Sequence, residues 1–373
     1  MKKETIIKLI TGVLAVIILF AAYKYTSKDM YFVPNDQDVN FVRAEVKEVK
    51  ENNDSGVFFT FLDEDGKEQT GLMDRYAADK LGRVFAGDKV ILNHGGTMYD
   101  NVNYSFYDFV RLPNFIIFVV VFLIAVIIYA RFKGFNTVIS LGFTLAALFL
   151  VFLPAVLSRM NVYLWCTLAC LFIVIVTMII VYGPSKKSLS AGIGIIAGLF
   201  VSALIMFATE GFLFLSGIGS EDMFFLSATL GEHQLDFKAI TFSMIIIGSL
   251  GAVMDIGVSI AASIAELKET NPDMSTAQLI KSGNNIGKDI NGTMVNTLIL
   301  AYIGSSFINV ITMLTYQTDI MVLINREEFI LELFQPIVGS FGILATLPIT
   351  SFVSATIMNS TNLSFRKKKK VKE

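Results

Sequence analysis

Apolar residues run almost unbroken along most of this chain and alternate with polar ones in a single stretch near its start. Ile6–Tyr23 is apolar behind the basic Met1–Lys3. Further apolar runs recur at about Pro113–Ala130, Thr137–Leu157, Tyr163–Tyr182, Leu189–Ala208, Ala239–Ile264, Thr293–Leu314 and Pro336–Met358. A run of roughly 18 or more residues with few charges is long enough to cross hydrocarbon as a helix. The pattern therefore predicts an all-α membrane bundle of about eight helices, seven of them within 113–358. The first run is longer than the apolar part of a signal peptide and leads through Ala21-Ala22-Tyr23 into Lys24. Residues 1–25 thus read as a retained membrane anchor, with cleavage as the alternative.

Between the anchor and Pro113 the period changes to two. Phe41, Ala44 and Val46, then Val57-Phe58-Phe59-Thr60-Phe61, then Val90-Ile91-Leu92 alternate with polar residues, which is the mark of half-buried strands. Asn53-Asp54-Ser55-Gly56 and Asp63-Glu64-Asp65-Gly66 supply turns between them, and Asp79–Val84 reads as a short helix or turn. Residues 26–112 therefore predict a small β-barrel, OB-like in size, outside the membrane. Placing Gly66 at the sixth position of a calcium loop puts Phe61 and Leu72 at its ends, where oxygen ligands are needed, so the acids form a turn and not an EF-hand. Gly211–Gln234, with semi-apolar stretches, is left open between an interfacial helix and a re-entrant segment.

Composition agrees with a bilayer as solvent. Of 373 residues, 54 % are hydrophobic and 17 % charged, and mean hydropathy is +0.63. A soluble enzyme, a disordered chain or a nucleic-acid binder would not have this balance. Two His and two Cys, with Cys166 and Cys170 inside an apolar run, leave no zinc site or Cys–His pair, and no cofactor is implied. Lys2/Lys3, Arg131/Lys133, Lys186/Lys187, Lys268/Lys281/Lys288 and Arg366–Lys370 fall on one side if the spans alternate. The positive-inside rule then puts both termini in the cytoplasm, including the basic tail 359–373, which anchors on anionic lipid. Residues 26–112 carry 10 Lys and Arg against 16 Asp and Glu, a formal charge of −6, and face outward.

An ionisable group in hydrocarbon costs roughly 2.5–3.5 kcal/mol on insertion scales, so polar residues within the spans mark candidate sites. They gather in the sixth, seventh and last spans. Asp255 lies in a run with Gly248, Gly251 and Gly257, and Ser259 follows one turn later. Small residues at 248, 251, 259 and 262 form one stripe on which another helix can pack closely. Ser275 and Gln278 have the spacing of a capping box and predict a short amphipathic helix on the inner surface. The next span enters through Asp289, Asn291, Thr293 and Asn296, with 289, 293 and 296 on one face. In the last span Thr346, Thr350 and Ser354 align, and Pro348 can kink or open the backbone among them. The expectation is one polar track in the inner half of the bundle, with Asn291 and Asn296 near Asp255. Hydrogen bonding between helices is the competing explanation for the Ser, Thr and Asn residues.

Gly251-Ala252-Val253-Met254-Asp255, Ser259-Ile260-Ala261-Ala262-Ser263, the segment Asn284–Thr297 and Leu347-Pro348-Ile349-Thr350-Ser351 resemble the YibE/F-like family of bacterial multi-pass membrane proteins, over roughly Pro113–Met358. The resemblance implies a bacterial cell-membrane location and no settled activity. From the residues, the leading expectation is a secondary transporter or export component, coupled to protons or another cation, with Asp255, Ser259, Asp289, Asn291, Thr293, Asn296, Thr346 and Thr350 contacting an unknown small-molecule or ion substrate. The alternative is a non-transporting scaffold whose outward β-domain binds envelope partners. No nucleophile–base constellation points to an enzyme. The lipid bilayer is the first partner, a paired membrane protein or a second copy another, and nucleic acid is not among them.

Overall fold

The computed structural model describes residues 3–30, 40–53, 56–63, 66–94, 102–230, 235–316 and 319–360. The anticipated turn residues Asp54, Ser55, Glu64 and Asp65 and the basic run 366–370 lie outside them. The chain divides into two compact units, residues 34–129 and residues 1–33 with 130–373.

The smaller unit is a closed barrel of five strands: β1 (Asn40–Asn53), β2 (Gly56–Leu62), β3 (Glu68–Asp74), β4 (Lys89–His94) and β5 (Tyr104–Phe109), ordered β1-β2-β3-β5-β4. β1 closes it by pairing antiparallel with β4 along Asn40–Glu45 and with β2 along Val46–Asn53. Bulges after Val46 and Val49 curl this strand from one partner to the other. The alternating residues point inward as the period demands, with Val46, Val57, Phe59, Phe61, Met73, Val90 and Leu92 buried together. Gly71 sits opposite Phe59 in the β2–β3 register, and a Cβ there would lie 2.7 Å from the Phe59 ring. The position is glycine because the aromatic ring occupies the space. Between β3 and β4, Asp74 caps α2 (Arg75–Leu81), its carboxylate accepting from the Ala77 N–H at 2.8 Å.

The larger unit is helical. α1 (Lys3–Thr26) is followed, beyond the barrel, by α3 (Leu112–Ala146), whose first part belongs to the smaller unit. α3 continues through a π-helical segment, Ala147–Phe152, into α4 (Leu153–Leu157). Then come α5 (Val162–Tyr182), α6 (Lys186–Glu210), α7 (Glu221–Leu230), α8 (Phe237–Thr270), α9 (Thr276–Ser305), α10 (Phe307–Tyr316), α11 (Ile320–Asn325) and α12 (Glu327–Asn359). Polar caps start several of them: Asn161 for α5, Ser185 for α6, Asp236 for α8, and the full Ser275/Gln278 capping box for α9.

Among the described residues six helices are long and apolar enough to cross a membrane, or seven if α9 and α10, bent by 52°, count as one span. One of the six is the whole 46-residue run Leu112–Leu157. At 1.5 Å per residue this is about 69 Å of helix, more than twice a bilayer core of about 30 Å. Its helical conformation breaks at Arg131 (φ 50°, ψ −126°), between the two spans anticipated there.

α12 is the pivot of the larger unit, packing on α6, α8 and α9. Its approach to α6 is set by glycines: a Cβ at Gly194 would collide with Oγ1 of Thr350, and one at Gly198 with Oγ1 of Thr346. Two expectations need correction. The segment after α8 is not a short surface helix followed by re-entry, because α9 runs continuously from Thr276 to Ser305. Pro348 does not open the backbone of α12, which runs on as helix through both Pro336 and Pro348. A helix of 33 residues with a packed face outweighs the single backbone hydrogen bond that each proline removes.

Candidate functional site

Asp255 is residue 19 of the 34 in α8, near its middle. It is exposed, and its side chain opens onto a cavity of about 340 Å³ between α8, α5 and the later part of α3. Hydroxyl-bearing residues Thr137, Ser140 and Thr144 of α3, and Thr177 and Tyr182 of α5, line the same cavity. Ser140 and Thr177 are bonded to each other at 2.8 Å, and Thr144 donates to the Ser140 carbonyl at 3.1 Å. The remaining wall is apolar, with Ile173, Met178, Ile247, Leu250 and Val258 among it. Among the described residues Asp255 has no ion pair and no hydrogen bond. The next charges along α8, Lys238 and Glu266, are several turns away; Lys238 pairs with Glu210 at 2.9 Å.

The small-residue stripe admits another helix at Gly248 but not at Gly251. Nothing lies within 4 Å of where a Cβ on Gly251 would stand, so no helix packs on it. It lines the Asp255 cavity instead. Gly248, a turn further, makes room for the hydroxyl of Tyr302 from α9. Close helix packing falls on the other side of α8, where a Cβ on Gly257 would meet Ile195 of α6 at 2.5 Å. The residues that take up the close α6–α12 approach are Gly194 and Gly198, whose Gly-x-x-x-Gly spacing is the signal that marks such a contact in the sequence.

Beside Gly248 lies a second cavity, of about 630 Å³, walled by Leu148, Phe149, Phe152 and Leu153 of the π-helical segment and α4, by α8, and by Leu298, Ala301 and Tyr302 of α9. Leu148 and Ile247 belong to both cavities, which therefore adjoin. The Tyr302 hydroxyl is buried without a hydrogen-bond partner among the described residues, and Ser305 and Gln335 are the other polar residues of that wall. Sequence spacing did not find Tyr302, Ser140 or Thr177, since single hydroxyls in apolar runs carry no pattern.

The other predicted residues do not join Asp255. α8 and α9 are antiparallel, with Gly248 beside Tyr302 and Gly283 beside Ile264, so Asn291, Thr293 and Asn296 are near the level of Asp255. Asp289, Thr293 and Asn296 are nonetheless exposed, on the side of α9 turned away from α8 and α12. Thr293 satisfies its hydroxyl on the Ile290 carbonyl at 2.7 Å. Asn291 is half-buried, with its side-chain oxygen unpartnered among the described residues. Thr346 and Thr350 are fully buried against α6; Thr346 donates to the Gly342 carbonyl at 2.7 Å, and the Thr350 hydroxyl has no partner among the described residues. Ser259 is half-buried on α8, its carbonyl accepting from Ser263. The single polar track is thus three separate polar places at a similar depth: the Asp255 cavity, the α6–α12 seam and the outer face of α9. A sequence gives spacing around a helix but not which way the helix is turned.

Long apolar helices with a carboxylate between them, joined to a small barrel, define a membrane protein. The family described as YibE/F-like protein matches residues 118–360, and the chain belongs to that family. No curated protein and no solved structure matches it.

Proposed function

We propose that the protein is a secondary transporter or export component, coupled to protons or another cation, in which Asp255 binds the coupling ion or substrate. One observation carries this reading: a carboxylate at the middle of an apolar helix opens onto a hydroxyl-lined cavity and has no ion pair or hydrogen bond among the described residues. A charge so placed costs roughly 2.5–3.5 kcal/mol on insertion scales, and purely structural residues rarely sit there. Binding a proton or cation neutralises the carboxylate and removes the reason for the cavity to stay wet. α3 and α8 can then close over Gly251, where the space is open.

The topology proposed with it has eight spans in the bacterial cell membrane, the 112–157 run counting twice with Arg131 at the inner turn. Both termini are cytoplasmic and the barrel faces outward. Its strand order and the helix between β3 and β4 support reading the barrel as OB-like. The outer face of α9, with Asp289, Thr293 and Asn296, docks a second copy or a paired membrane protein, because such side chains are poorly solvated by acyl chains. The protein is not an enzyme in this reading, and nucleic acid is not a partner.

The test is flux of protons and of alkali cations in liposomes carrying the purified protein, driven by an imposed potential and read with internal pH and cation dyes. Wild-type protein moves one of these ions, and Asp255→Asn, folded with an unchanged melting temperature, does not. Equal flux in the two removes the mechanism. The scaffold reading is favoured by the barrel's exposed Phe41 and Tyr107, paired edge-to-face at 4.7 Å. It requires that barrel deletion abolish function while Asp255→Asn is silent.

A further inference from the structure

We infer that the substrate class is a lipophilic organic monocation, held with its charge at Asp255 and its apolar body in the adjoining cavity beside Tyr302; this rests on the transporter reading above. The Asp255 cavity alone, about 340 Å³, is large for a bare metal ion and offers only one carboxylate, where a hard cation seeks several oxygen ligands. It shares Leu148 and Ile247 with a cavity of about 630 Å³ whose wall is mostly apolar. Asp255 and Gly248 are two helical turns apart, about 10 Å along α8, and the space over Gly251 between them is open. The two adjoining cavities therefore present one negative charge at one end and a mostly aliphatic and aromatic body beside it. Charge complementarity selects a cation, and the missing second carboxylate selects a single charge. The apolar wall selects an occupant that loses water readily, as pocket sites for organic molecules do. A neutral phospholipid tail fits the wall but leaves the carboxylate unpaired.

The experiment is equilibrium binding of radiolabelled tetraphenylphosphonium to the full-length protein in nanodiscs, with neutral triphenylphosphine oxide and tetramethylammonium as competitors. Saturable binding is expected, with the neutral analogue weaker by about tenfold or more and the small cation not competing. Asp255→Asn loses binding by a similar factor. Gly251→Leu is the decisive variant. Its side chain enters open space, so the fold is kept, and leucine is the better helix former. It fills the space beside Asp255 on the side of the second cavity and lowers affinity by about tenfold or more. No saturable binding, equal binding of the neutral analogue, unchanged binding in Gly251→Leu, or a phospholipid seen by native mass spectrometry that the cation does not displace overturns the inference. Proton flux that needs Asp255 in a protein that does not bind the cation leaves the carrier reading standing while this one falls. Cation binding without any flux does the opposite: the monocation site stands and the carrier reading falls.

Discussion

Thr346 of α12 holds its hydroxyl where a side chain on Gly198 of α6 would stand, while the same oxygen is bonded to the Gly342 carbonyl at 2.7 Å. The helices meet backbone to side chain at this point, and Gly194 repeats the arrangement one turn away against Thr350. In a bilayer, where lipid tails are as apolar as leucine, such close packing is a main source of helix association.

Gly198→Val should therefore lower stability by about 1–3 kcal/mol, the usual cost of overpacking. Gly192→Ala is the control, since its Cβ would make an ordinary contact of 3.8 Å with Met178. Thermal unfolding in detergent, followed by far-ultraviolet circular dichroism, separates the two. Equal melting temperatures would mean that the α6–α12 seam is not tight.

The barrel has a counterpart. Gly71→Ala places a methyl group against the Phe59 ring, and about 1–3 kcal/mol of destabilisation is expected in the barrel alone. Hydrogen exchange on the full-length protein should show faster exchange in β2 and β3 and no change in α6, α8 or α12.

How much of the fold is legible in the sequence depends on the kind of signal. Strand alternation at Val57, Phe59 and Phe61 is a local pattern with a fixed physical meaning, and so is the capping box of Ser275 and Gln278. Both are realised in the structure. The orientation of Asp289, Thr293 and Asn296 is not legible, because it depends on how α9 is rotated against α8 and α12. The π-helical segment Ala147–Phe152 is invisible as well, since its apolar residues suit an α-helix equally well. Gly194 and Gly198 do carry a readable spacing, which the polarity around Asp255 overshadows.

Asn296→Cys should form a disulfide-linked dimer on mild oxidation of native membranes, if the outer face of α9 meets a second copy. Phe352→Cys, exposed on α12, serves as the comparison. Dimers at both positions in equal yield would indicate random collision, and dimers at neither would leave the α9 face without a partner of its own kind.

Near the end of the barrel, Arg111 donates to Asp108 at 2.7 Å and holds that carboxyl below the usual aspartate range. A lowered folded pKa contributes stability above the ordinary value and loses it as pH falls through the folded one. The pair is largely exposed, so the effect is under about 1 kcal/mol. Arg111→Ala should thus destabilise the barrel slightly at pH 7, and the difference should vanish in strong acid. A difference that persists there would assign the effect to packing of the Arg111 stem.

Asp255 bears the main weight of the functional account, and a hydrophobic carbodiimide reports on it directly. The reagent enters apolar crevices and modifies carboxyl groups that it meets there, and the adduct is located by mass spectrometry of the digested protein. The account predicts an adduct at Asp255 within the otherwise uncharged middle of α8, diminished when tetraphenylphosphonium is present. An unmodified Asp255, with label confined to acids outside the apolar spans, would contradict it.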